Sequence, residues 1–113
     1  MFLFNRNTGY DNIDIQGYES DYATGNIDHV LVDVRTQGEY LQGHLPNAIN
    51  IPLHELGQRV SEIPQGKAVV VVCASGNRSR TGASKLVEAG FENVYNLKGG
   101  TMTWMMSGKQ IVR

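Results

Sequence analysis

The chain has 113 residues, a formal net charge of −1 and a single cysteine. That length suits one domain around one core, and the near-neutral balance gives no hint of binding to nucleic acid or an anionic membrane. One cysteine excludes an internal disulfide framework and a cysteine-only metal cluster, and the histidines (His29, His44, His54) show no ligand spacing.

Residues 1–9 read as an N-terminal arm, 10–108 as a single domain and 109–113 as a C-terminal tail. The apolar run that opens the arm is too short for a signal-peptide core, and no stretch approaches membrane-spanning length. The expected compartment is therefore the cytoplasm, unless a leader preceded Met1. Residues 12–16 alternate polar and apolar, as a short edge strand does. Tyr18 and Tyr22, four apart, suit one or two helical turns over 17–25. Residues 29–34 are apolar enough for an internal strand. Thr36 and Glu39 then have capping-box spacing ahead of a short helix that ends at Gln42. A loop over 43–47 leads to a short strand over 48–51, closed by Pro52. Leu53, Leu56, Val60 and Ile63 predict an amphipathic helix, ended by Pro64 and Gly66.

Residues 68–72 form an unbroken apolar run, four of the five being valine, which reads as a strand buried on both faces. Ala83, Leu86 and Val87 share one face of a following helix, with Gly90 placed for a left-handed cap and Phe91 for its hydrophobic contact. Residues 93–97 predict another strand, Gly99-Gly100 a turn, and 101–107 a last helix. Trp104 is expected to cover the sheet near the site, and Met102, Met105 and Met106 to pack. Strands alternating with helices predict an α/β fold: an open, mainly parallel sheet with helices on both faces. Right-handed crossovers would bring Asp33, Arg35 and Cys73 to one rim.

Cys73 falls one step beyond the valine run, at the carboxyl end of a strand, where open α/β sheets bind ligands. The loop Ala74, Ser75, Gly76, Asn77, Arg78, Ser79 then leads into a helix, whose first turn presents unpaired amides and partial positive charge. Small residues wrapped over such a terminus make an anion cradle, and a thiol held there should ionise more readily. The alternative reading of a lone cysteine is a small core hydrophobe.

Four pieces, in order, resemble the rhodanese family of sulfurtransferases: Val32-Asp-Val-Arg35 with Glu39-Tyr40; residues 43–52, Gly-His-Leu-Pro-Asn-Ala-Ile-Asn-Ile-Pro; Cys73-Ala-Ser-Gly-Asn-Arg-Ser79; and Asn96-Leu-Lys-Gly-Gly100 with Trp104. The resemblance implies a three-layer rhodanese-like fold with about five strands. It implies that Cys73 carries sulfur as a persulfide, with the backbone amides of residues 74–79 around the outer sulfur. The implied donor is thiosulfate or a low-molecular-weight persulfide, and the implied acceptor cyanide or a thiol, protein thiols included. No metal or organic cofactor is implied. Phosphatases built on a similar loop use C-x5-R, whereas Cys73 to Arg78 is C-x4-R, a narrower cradle suited to one sulfur rather than phosphate. A missing second thiol argues likewise against arsenate reduction. Tandem thiosulfate enzymes of the family carry basic side chains beside the cysteine, where this chain has Ala74 and Ser75. A non-catalytic, partner-binding rhodanese module is the other alternative.

The supporting residues divide by expected role. Asp33 should brace loop backbone, and Arg35 should pair with Glu39 four residues on. Arg78 has two roles open to it, orienting an anionic donor or folding back against a carboxylate to hold the loop. Ser79 should cap the helix or brace the loop, Arg80 should be a solvated rim charge, with donor binding as its alternative, and His44 a hydrogen-bonded structural residue.

Overall fold

The computed structural model describes residues 8–25 and 27–113, so most of the expected arm (residues 1–7) lies outside the described residues. The valine-rich run is strand β4 (Ala68–Val72), every residue of which is buried. It sits at the centre of a five-stranded sheet with β1 (Asp11–Ile13), β2 (His29–Asp33), β3 (Ile49–Asn50) and β5 (Val94–Leu97), in the order β1-β5-β4-β2-β3. All four pairings are parallel. A parallel sheet needs crossovers that cover both faces, which is why its central strand is apolar on both sides.

Period-two alternation along β4 then sets where Cys73 faces. Val69, Val71 and Cys73 share one core cluster with Leu56, Ala83 and Leu86. Val70 and Val72 share the other with Tyr18, Leu45 and Trp104. Trp104 therefore covers the sheet on the face opposite the Cys73 side chain, not beside it as expected.

Helix α2 (Gln37–Gln42) starts at the predicted capping box, with Thr36 Oγ1 accepting from the Glu39 amide and Glu39 accepting from the Thr36 amide. Helix α4 (Arg78–Glu88) ends as predicted. The Phe91 amide donates to Leu86 O and the Gly90 amide to Val87 O, with Gly90 at φ +100° and Phe91 buried. The helix expected over 53–63 is broken into a 3₁₀ turn (Leu53–Glu55), helix α3 (Leu56–Arg59) and a second 3₁₀ turn (Val60–Glu62). Gly57 lies inside it and weakens helix by about 1 kcal/mol relative to alanine, so burial of Leu56 and Ile63 holds the segment more than propensity does. Residues 17–25 hold the end of α1 (Ile15–Tyr18) and a π-helical turn (Glu19–Ala23).

Helix α5 (Gly100–Met106) buries Thr101 and Trp104 and turns Met102, Met105 and Met106 outward, 56%, 48% and 84% exposed. Their expected packing is thus corrected: they lie on the outer side of the helix. The segment 109–113 is tied down, since Val112 and His44 exchange two backbone hydrogen bonds of 2.9 Å. The His44 ring stacks on Tyr40, and its Nδ1–H donates to Tyr40 O at 2.8 Å, a structural role as expected. No described helix is long and apolar enough to cross a membrane.

Candidate active site

The carboxyl ends of β2 and β4 lie side by side, Asp33 in register with Val72, and the chain leaves β4 directly into the Cys73 loop. Gly76, at φ +100°, turns the loop back so that its amide donates to Cys73 Sγ at 3.1 Å. The Ser79 hydroxyl lies 3.3 Å from the same sulfur. Burial works to raise the thiol's pKa. The Ser79 hydroxyl and the amides of Ser79, Gly76 and Ser75 outweigh it and leave Cys73 below the ordinary thiol range.

The sulfur is nevertheless covered: Cys73 is 1% exposed. So short a loop closes its own backbone over the side chain, while Ser75 and Asn77 on its rim stay exposed. That burial is what the alternative reading of the lone cysteine, a small core hydrophobe, expects. Its donors, however, are aimed at the sulfur and not away from it.

Arg78 and Glu39 close a two-bond fork, Nη1 to Oε1 at 2.7 Å and Nη2 to Oε2 at 2.9 Å. The hydrogen bonds from Arg78 hold the Glu39 carboxyl down to about 2. The guanidinium that leads α4 is thereby committed to the N-terminus of α2, the loop-holding arrangement of the two that the sequence left open. The expected Arg35–Glu39 pair is corrected by this. Arg35 precedes the helix and folds back on Asp33, Nη2 to Oδ2 at 2.8 Å, and donates to Gly43 O at 2.6 Å. Asp33 accepts from the Arg35 amide and side chain, so it braces loop backbone as expected, in the turn after β2 and not in the Cys73 loop. Asn50 completes this corner by donating to the carbonyls of Asp33 and Arg35, each at 3.0 Å.

Ser79 is the second residue of α4 and does not cap it; its hydroxyl donates to Asn96 Oδ1. Asn96, buried on β5, donates through Nδ2 to Asn12 Oδ1 of β1 at 2.9 Å. Neither asparagine has a site role in the sequence reading, where Asn96 enters only as the start of the last family-like piece. The available signal was topological: β5 beside β4 puts Asn96 opposite Val71, one pleat from the loop. From the other side, α5 docks onto the loop. The Thr101 amide donates to Cys73 O at 2.9 Å and the Met102 amide to Ala74 O at 3.0 Å. Gly100 permits this approach, because a β-carbon there would overlap both of those carbonyl oxygens.

A polar groove opens beside the loop, lined by Asn12, Ser75, Asn77, Arg80, Asn96 and Lys98 among others, with no carboxylate among the described residues that line it. Among the described residues Arg80 and Lys98 form no ion pair. Among the same residues no cluster of histidine, cysteine and carboxylate side chains suits a metal ion.

Residues 16–107 match the family model described as the rhodanese-like domain. A sulfurtransferase of Allochromatium vinosum is 42% identical over 85 residues, 75% of this chain and 79% of that protein. A thiosulfate sulfurtransferase, GlpE, of Pseudomonas syringae is 37% identical over 75 residues, 66% of this chain and 71% of that one. The crystal structure of a rhodanese-related protein from Thermoplasma volcanium superposes with a TM-score of 0.80 at 29% identity, covering 91% of this chain and 98% of that one.

Proposed function

This chain belongs to the rhodanese-like domain family, and on that premise we propose that it moves a sulfane sulfur from donor to acceptor through a Cys73 persulfide. The relatives named sulfurtransferases support the activity class; the donor, the acceptor and the steps are our reading. The Cys73 thiolate attacks the sulfane sulfur of thiosulfate or of a small persulfide. The Cys73 Sγ–S bond forms as the donor's own bond to that sulfur breaks, and sulfite or a thiolate leaves with the electron pair. The amides of residues 74–79 hold the charge on the outer sulfur. An acceptor thiolate or cyanide then attacks that outer sulfur and releases the Cys73 thiolate. With one cysteine in the chain, no internal thiol resolves the persulfide, so the sulfur must leave on a second molecule.

The observation that carries this reading is the Gly76 amide set on Cys73 Sγ at 3.1 Å, with the thiol's acidity raised. Because the sulfur is covered, the donor enters past the exposed rim residues Ser75 and Asn77. The covered sulfur also favours one other reading, a module that binds a partner and turns nothing over. Intact mass after incubation with thiosulfate separates the two. The sulfurtransferase gains one sulfur atom, loses it to cyanide, and gains nothing as Cys73→Ser. An unchanged mass, or transfer that survives Cys73→Ser, overturns the proposal. A phosphatase reading finds no support in the short C-x4-R loop, and aryl phosphate should not be hydrolysed by the same sample.

A further inference from the structure

We infer that Asn96, oriented by Asn12, is a positioning residue that sets how readily Cys73 ionises by competing for the one hydroxyl hydrogen of Ser79. A serine hydroxyl has one hydrogen to give and two lone pairs to offer. Here its oxygen lies between two claimants, Cys73 Sγ at 3.3 Å and Asn96 Oδ1. Because Asn96 Oδ1 can only accept, the hydroxyl hydrogen goes to Asn96 while the sulfur is a thiol, which in turn can donate to the Ser79 oxygen. That arrangement suits a neutral thiol. A thiolate cannot donate, and it would face a lone pair unless the Ser79 hydroxyl turned its hydrogen onto the sulfur.

That turn strips Asn96 Oδ1 of its hydrogen bond in a site where Asn96 is 2% exposed, and a buried acceptor without a partner is costly. Asn12 fixes which end of the amide meets Ser79. By accepting from Nδ2 at 2.9 Å, it keeps the oxygen turned inward. The two residues are also partners in the β1–β5 register, so the edge strand sets the amide's orientation. The loop amides favour the thiolate, and the asparagine pair holds back part of that effect. In a persulfide the inner sulfur is uncharged and needs no donor, so the Ser79 hydrogen returns to Asn96. The pair thus favours the sulfur-loaded and neutral forms of Cys73 over the bare thiolate.

Among the described residues no charged group shares the Ser79 hydrogen, and Arg78, coupled to Cys73 through its charge, favours the thiolate. Arg78 of α4 responds to Cys73 and to Asp33 and is held by Glu39 of α2. Arg80 and Lys98 line the groove, and Tyr10 packs in the same core cluster as Cys73.

The inference rests on Cys73 being the nucleophile, but it is read on thiol ionisation and not on sulfur transfer, so either can fail alone. The test is the pH dependence of thiolate ultraviolet absorbance, Cys73→Ser serving as blank. Asn12 is exposed, and Asn12→Ala should leave the fold intact while freeing the Asn96 amide to turn over. Its midpoint should move to lower pH, with roughly fivefold more thiolate at a fixed acidic pH. Asn96→Leu, which removes the acceptor, should move it the same way. Adding Ser79→Ala to Asn12→Ala should abolish the Asn12→Ala shift, because the shared hydroxyl is gone. An Asn12→Ala midpoint equal to or above wild type in a protein of unchanged melting temperature overturns the inference. So does a shift that persists without Ser79.

Discussion

Arg78 and Glu39 stand 39 positions apart in the chain and meet as a bidentate fork across the rim of the Cys73 loop. Glu39 serves two helices at once, since the oxygen that closes the α2 capping box also takes one arm of Arg78. The loop is thereby tied at its last turn to an element that does not otherwise touch the sulfur.

If the fork only holds the loop, Arg78→Ala and Glu39→Gln should lower turnover by similar factors, and the double variant should be no worse than either alone. Steady-state rates of sulfur transfer measure this. An Arg78→Ala protein with a raised KM for thiosulfate and an unchanged kcat, unmatched by Glu39→Gln, would instead give the guanidinium to the donor.

The same fork fixes a pH dependence of stability. The Glu39 carboxyl is lowered from 4.5 to about 2 by Arg78, so its folded pKa lies below its unfolded one. Stability from the pair is complete above pH 4.5 and is lost as pH falls through about 2. The side chains are 39% and 35% exposed, which limits the contribution to about 0.5–1 kcal/mol. Urea unfolding at a series of acidic pH values should show that increment in the wild type and not in Glu39→Gln.

Gly100 should tolerate no side chain. At φ +63°, with the carbonyl oxygens of Cys73 and Ala74 where a β-carbon would sit, Gly100→Ala must push α5 off the loop. A loss of about 2–4 kcal/mol in chemical denaturation is expected, with weaker sulfur transfer in the folded fraction. By contrast, Gly38 lies inside α2 with nothing within contact distance of such a carbon, and Gly38→Ala should stabilise by roughly 0.5–1 kcal/mol.

These contrasts follow what could and could not be read from the chain. The buried strand, the capping box of α2 and the glycine-terminated end of α4 are local patterns, and each stands where residues 68–72, Thr36 with Glu39, and Gly90 with Phe91 put it. The Cys73 loop was legible for the same reason, being one contiguous segment between two such elements. Pairings across the fold were not. Arg35 and Glu39 have i,i+4 spacing, but that spacing brings side chains together only within a helix, and Arg35 precedes the Thr36 cap. Asn12 and Asn96 are 84 positions apart and meet only because β1 adds at the far edge, beside β5. The tightness of the loop over the thiol depends on how α5 and β5 close against it, which no local spacing encodes.

The groove beside the loop gives the last expectation. With Arg78 committed to Glu39, the cations that line the groove among the described residues are Arg80 and Lys98, and no carboxylate lines it with them. Charges of one sign in a concave site raise the local concentration of the opposite ion, and the effect fades as salt rises. Arg80→Glu and Lys98→Glu should each raise the KM for thiosulfate about threefold to tenfold at low salt, and less at high salt. Turnover at saturation should hold, because neither side chain hydrogen-bonds to Cys73 Sγ, which is served by Gly76 and Ser79. A sulfane donor of zero net charge, such as the persulfide of a small aminothiol, should be handled alike by all three proteins. Equal losses with charged and uncharged donors would mean that the substitutions had disturbed the loop itself, and the groove would then have no part in choosing the donor.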